Sequence, residues 1–212
     1  MKTFIIGISL CLLAFNTLAE DEDWQVWTES SLKGRLDDRL TWALKTEKKF
    51  VNDANDLNMV NMDFGLAVKP RPWLSLGVNY RKEFARSEGQ WLEENRPHLN
   101  VSFHYKWKGI SIQDRNRVEF RFREAKDDLT RYRNKLTLKL PISYTPLNLQ
   151  PYIADEIFMD HGDLNRNRFY LGFKGNWKDK IYPEIYYLQQ CDDKSDGWID
   201  KNVVGFRVGC RH

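Results

Sequence analysis

The chain has 212 residues, with 33 Lys and Arg against 30 Asp and Glu, a formal net charge of +3. That balance is too even to mark a nucleic-acid partner, which draws on strongly basic surfaces. Past an N-terminal leader, about 190 residues suit one domain with its own core, and no repeat, linker or low-complexity tract interrupts them.

The first stretch, "MKTFIIGISLCLLAFNTLAEDEDW", carries Lys2, an apolar run from Phe4 to Phe15, and Thr17-Leu18-Ala19 before an acidic segment. This is the plan of a secretory signal peptide over residues 1–19, cut after Ala19, with a single domain over 20–212. The apolar run is shorter than the roughly 20 residues of a spanning helix. Leu10 before Cys11 argues against lipidation.

After residue 36 the pattern is period 2 almost throughout, and helical spacing is nearly absent. Candidate strands run near 24–33, 39–47, 58–69, 73–84, 96–107, 110–123, 130–144, 149–159, 165–177, 180–190 and 201–210. The first two are the weakest, because Gly34 and "LDD" interrupt them. Several reach the roughly 9 to 11 residues that cross a bilayer at a tilt. The connections "KPRPW", "KWKG", "YTPLN" and "NWKDK" read as tight, whereas "KKFVNDAND", "ARSEGQWLEEN", "EAKDDL", "DHGDL" and "CDDKSDGWID" read as longer and mostly acidic. Short turns at one end and long loops at the other are the habit of outer-membrane barrels.

In "QDRNRVEFRFREAKDDLTRYRNKLTLKL" the two faces separate cleanly. Val118, Phe120 and Phe122 alternate with Arg115, Arg117, Arg121 and Arg123, and Leu136 and Leu138 alternate with Arg131, Arg133, Lys135 and Lys139. Leu99, Val101 and Phe103 likewise oppose Arg96, His98 and Lys106; Phe169, Leu171 and Phe173 oppose Arg166, Arg168 and Lys174; Val204, Phe206 and Val208 flank Arg207. Alternation alone leaves open which face is inside. A soluble lipocalin-like barrel turns the apolar face inward, and a membrane barrel reverses the two. Strand length, the connections, and aromatics near strand ends (Trp42, Trp73, Phe84, Tyr105, Trp107, Tyr144, Trp177 and Tyr187) favour the reversed arrangement.

The predicted fold is therefore all-β, an antiparallel up-and-down transmembrane barrel of about 10 to 12 strands. Its lumen collects Arg96, Arg115, Arg117, Arg121, Arg123, Arg131, Arg133, Arg166, Arg168 and Arg207, with Arg81 and several lysines. Glu119, Glu156 and Glu184 are the candidate counter-charges, with Glu83 beside them. Such a lumen fits a passive channel or binder for small anionic solutes. Two alternatives stay open: a structural barrel plugged by salt bridges, and a soluble periplasmic barrel with a lipophilic ligand. The expected partners are outer-membrane lipid, the barrel-insertion machinery and a small anionic solute, and the barrel is expected as a monomer.

If 180–190 and 201–210 pair as a hairpin, Cys191 and Cys210 lie too far apart to bridge and stay free thiols. Catalysis finds little support. Ser102 and His104 are two apart on one strand, with His98 on the same face, but nucleophile and base there are nearly 7 Å apart along the backbone. "DDKSDG" lacks the ligand pattern of a calcium loop, and no metal or cofactor is expected.

The succession "NRVEFRFR", "TRYRNKL", "PYIADEIF", "NRNRFYLGF" and "IYPEIYYLQQ" resembles a group of exported Gram-negative proteins, the domain-of-unknown-function family 2490. The resemblance covers most of the mature chain and implies an outer-membrane-type barrel with no assigned activity. One departure is the ending "VVGFRVGCRH", which lacks the terminal aromatic common in such barrels.

Overall fold

The computed structural model describes residues 24–194 and 197–212. The expected signal peptide over 1–19 and the middle of "DDKSDG" lie outside the described residues. Eleven strands follow one another: β1 (Trp24–Arg35), β2 (Leu40–Val51), β3 (Asp56–Arg71), β4 (Leu74–Ser87), β5 (Gln90–Trp107), β6 (Ile110–Arg123), β7 (Leu129–Lys139), β8 (Gln150–Asp160), β9 (Asp163–Lys174), β10 (Ile181–Lys194) and β11 (Gly197–Arg211). All eleven candidate strands are present, including the two that looked weakest. Among the described residues no helix is long and apolar enough to cross a membrane, a test that does not bear on strands.

The strands close into one barrel in sequence order. Neighbours are antiparallel from β1–β2 round to β10–β11, but β1 and β11 pair in parallel, from Trp24 opposite Asn202 to Lys33 opposite Arg211. The wholly antiparallel barrel expected from the sequence is thus corrected at one seam. The reason is parity: strands that alternate in direction leave the first and eleventh running the same way. Consequently β1 begins at one rim, the amino rim, and β11 ends at the other, the carboxy rim.

The acidic connections do gather at the amino rim and the others at the carboxy rim, but the expected contrast in length is absent. Residues 88–89 and 161–162 are two-residue turns at the amino rim, and the longest connection, 140–149, lies at the carboxy rim. The strands simply continue into segments that looked like loops. Glu88-Gly89, Lys108-Gly109 and His161-Gly162 all have both φ angles positive. This is the type I′ geometry, whose twist matches the flanking strands and which glycine makes accessible.

The faces are resolved. Phe64, Leu99, Leu171 and Phe206 are exposed on the outside, while Asp63, Arg96, His98, Glu119, Glu156 and Arg168 are buried within. Exposed aromatics gather near both rims: Trp24, Phe84, Trp91 and Trp198 at the amino rim, and Trp73, Trp107, Tyr144 and Trp177 at the carboxy rim. The exterior is apolar and the interior charged.

One inner wall departs from this charge pattern. Trp27, Tyr152, Tyr170, Tyr186, Leu188 and Val203 form a small buried cluster on β1 and β8–β11. Its room comes from glycine: a Cβ built on Gly205 would lie 1.9 Å from the Tyr186 ring. Gly205→Val is therefore expected to displace Tyr186 and lower the temperature at which the barrel loses its compact gel mobility. Tyr186→Ala in the same chain should recover part of that loss. An unchanged transition in Gly205→Val would contradict the packing.

In the β10–β11 hairpin Cys210 stands opposite Ile181, and Cys191 opposite Asp200. The cysteines are therefore about 30 Å apart along the sheet at the rise of an extended strand, and both are free. Maleimide titration of the denatured mature chain should count the same two thiols with and without reductant.

Candidate functional site

The lumen is built from the rows that alternation turns inward. Strands β6 and β7 place Arg115 opposite Lys135, Arg117 opposite Arg133, and Glu119 opposite Arg131. Strand β8 then sets Glu156 between Lys135 and Arg168. The two arginine rows thus lie side by side.

Like charges so placed repel, and the structure answers with carboxylates that each serve several cations. Arg133 donates from Nη1 to Glu119 Oε1 at 2.7 Å and from Nη2 to Glu156 Oε1 at 2.7 Å. Arg115 reaches the same Glu156 oxygen at 2.7 Å, and Tyr170 donates to Glu156 Oε2 at 2.9 Å. Arg117 donates to Glu119 Oε1 at 3.2 Å and to Asn100 at 2.8 Å. Glu119 and Glu156 are 0% and 1% exposed, so this belt closes over its own acids. Both were expected as counter-charges. Glu184 stands apart from the belt, accepting from Arg207 at 2.8 Å and from the Tyr152 hydroxyl.

Further pairs flank the belt. Arg121 makes two parallel bonds of 2.7 Å to Glu94, Arg131 two of 2.6 Å to Asp160, and Arg96 bonds Glu94 at 2.6 Å and Glu83 at 2.9 Å. Such paired geometry gives the strongest ion pairs. Arg166 pairs with Asp192, and Arg81 with Asp63 at 3.1 Å. Of the expected lumen arginines, Arg123 is not part of this network. It sits at the amino rim and donates to the backbone carbonyl of Asp127, because β6 ends there.

Sequence reasoning missed six of the ten acids that pair with lumen arginines. Asp63, Glu94, Asp160 and Asp192 are inward partners of arginines, as is Glu29 of Arg207 and Glu47 of Arg81. Their signal was available: each shares inward parity with its strand's other buried residues. Aromatic faces supply part of the rest. Lys135 Nζ lies 3.2 Å from the centre of the Tyr170 ring, Lys174 Nζ 4.3 Å from Tyr152, and Lys49 Nζ 3.7 Å from Trp27. Arg133 and Arg168 stand 4.3 Å and 4.7 Å from Phe158. A desolvated cation gains more from such a ring than an exposed one.

Beside the belt a cavity of about 270 Å³ remains, lined by fourteen cationic side chains and five anionic ones, Glu29, Glu47, Glu83, Glu156 and Glu184. Five more acids, Asp63, Glu94, Glu119, Asp160 and Asp192, pair with arginines of that lining. Fourteen against ten leaves four more basic than acidic side chains. Among the described residues Lys45, Lys135, Lys174 and Arg168 form no ion pair with a carboxylate.

The histidines do not assemble a catalytic group with Ser102. His104 Nε2 lies 3.1 Å from Ser75 Oγ on the neighbouring strand, and His98 Nε2 lies 3.6 Å from Asp63. Among the described residues no carboxylate pairs with His104 to orient it, the third element that nucleophile activation requires.

No curated protein matches the chain. A family model described as "Protein of unknown function (DUF2490)" matches residues 24–201, from the first residue of β1 into β11. The match spans the lumen-forming strands and most of the chain, so the protein belongs to the domain-of-unknown-function family 2490.

Proposed function

We propose that the protein is an outer-membrane barrel whose lumen is closed to free passage by the ion-paired belt and which holds a small anion in the cavity beside it. The excess of cations over acids around that cavity carries the reading. Unpaired buried cations need water or a counter-ion, and a cavity of this size admits a small one. The membrane placement is supported by the apolar exterior with aromatics near both rims, the surface expected of a barrel that sits in lipid. Outer-membrane lipid and the insertion machinery are then its partners. A lipophilic ligand would need an apolar core, and the interior is charged instead.

Closure distinguishes this reading from a channel. With Arg133 clamped between Glu119 and Glu156, no continuous row of free arginines is left to pass an anion along. In planar bilayers the protein should show no sustained conductance. Sulfate or glucuronate should raise its unfolding temperature above that in chloride of equal ionic strength, and Lys135→Met should remove the increment. Steady anion-selective conductance would replace the closed barrel with a channel. Equal unfolding temperatures in all three salts would remove the anion.

A further inference from the structure

Besides the Lys82–Glu93 pair on β4–β5, which satisfies itself at 2.8 Å, the apolar exterior is interrupted on two walls. On β6–β8 the outward residues Asp114, Asn116, Asn134 and Asp155 replace apolar side chains. They are not rim residues. Along β6 the pair is bracketed on the same face by Ile112 and Val118, and along β8 Asp155 is bracketed by Ile153 and Ile157. Asn134 Nδ2 donates to Asp114 and to Asn116 Oδ1, so part of the patch satisfies itself. Asp155 is exposed, and only its Oδ1 is engaged, by Asn167 of β9 at 2.9 Å.

The second interruption is on β1 and β2. Cross-strand partners share a face, and Lys48 stands in the row Thr28, Lys48, Val60, Phe84, whose last member is exposed on the outside. Ser30 and Thr46 form the next outward pair. Lys48 is exposed and has no ion pair among the described residues.

In lipid both places are costly, since polar groups facing hydrocarbon need partners and a charge on that face destabilises a barrel. They cannot serve one another within one chain. Going round the closed ring, β2 and β8 are six strands apart one way and five the other, on opposite walls. Their levels nevertheless lie within two residues of one another: Lys48 is three residues from the amino-rim end of β2 at Val51, and Asp155 five from that of β8 at Asp160.

We propose that the Lys48 wall of one copy of this chain seats against the Asp155 wall of a second copy, so that barrels associate head to tail in rows within the membrane. The proposal rests on the membrane placement above, and it replaces the monomer expected from the sequence. The two walls are opposite in charge and differ from each other, which makes the contact heterologous. Because they face in opposite directions, the contact does not close into a ring; such contacts propagate. Each barrel buries one lysine and one carboxylate in the contact, and each charge acquires the partner that its own chain does not provide.

The test uses the full chain in lipid vesicles, with Cys191→Ala and Cys210→Ser as background and Thr46→Cys with Ile153→Cys as reporters, each two residues to the carboxy-rim side of the Lys48–Asp155 contact. Flotation of the vesicles is scored first, and oxidation then reads the contact. The row predicts a ladder of disulfide-linked dimers and larger species from the double reporter, and none from either reporter alone. Lys48→Glu should abolish the ladder, and Lys48→Asp combined with Asp155→Lys should restore it. Protein that floats but links nothing, or a ladder indifferent to Lys48→Glu, overturns the row and leaves the membrane placement standing. Self-linking of Ile153→Cys alone would make the contact two-fold and also overturn it. Protein that does not float removes the placement and the row together.

Discussion

Replacing Glu156 by Leu is expected to destabilise the barrel by about 3 to 5 kcal/mol, the cost of breaking a buried ion pair by removing one partner. Glu156 accepts from Arg115, Arg133 and the Tyr170 hydroxyl and is fully enclosed. Without it, Arg133 retains only Glu119, and Arg115 has no acid. The comparison that isolates this cause is Asp56→Asn at the amino-rim end of β3, where the carboxylate is exposed and accepts from the Asn52 side chain. A surface substitution of that kind is expected to be close to neutral. Urea unfolding of the vesicle-inserted protein measures both. Equal effects from the two substitutions would show that the belt does not hold the barrel together.

Leu171→Arg is expected to cost about 2 to 4 kcal/mol if its wall faces lipid near the midplane. Leu171 is 52% exposed and lies between Phe169 and Phe173 on the outer face of β9. In water the same change at so exposed a position would fall within about 0.5 kcal/mol of neutral. Because the faces are fixed, the size of the effect separates a lipid-embedded barrel from a soluble one. A neutral Leu171→Arg in vesicles would contradict the membrane placement.

Much of this architecture was legible in the chain because alternation is local. Each strand announces its two faces by its own residues, and Phe169-Leu171-Phe173 against Arg168-Tyr170 needs no knowledge of neighbours. Strand ends were less legible. Residues 90–95 read as loop because "GQWLEEN" is polar, yet Glu94 is an inward partner of Arg96 and Arg121. The Glu88-Gly89 turn was the available signal, since an X-Gly pair with two positive φ angles closes a hairpin without further loop.

The seam and the neutralisation of the lumen were not legible, for a different reason. Both depend on partners far apart in sequence. Nothing in β1 says that it pairs with β11, 178 positions on, as Trp24 does with Asn202. Likewise Arg133 and Glu156 are 23 residues apart and meet only through the β7–β8 register. Phe158 was the other surprise. It has the composition of an outer wall but the parity of an inner one, and Arg133 and Arg168 stack over its ring.

The most direct test of the whole account is lipid-phase quenching at two adjacent positions of β6. With Cys191 and Cys210 replaced, a fluorophore is placed at Phe120→Cys or Arg121→Cys in vesicles containing brominated lipid. Phe120 is exposed on the apolar wall, whereas Arg121 points inward to Glu94. A barrel embedded in lipid with these faces gives strong quenching at 120 and little at 121; equal exposure of both probes to aqueous quenchers, or lipid quenching at 121 alone, would contradict that placement.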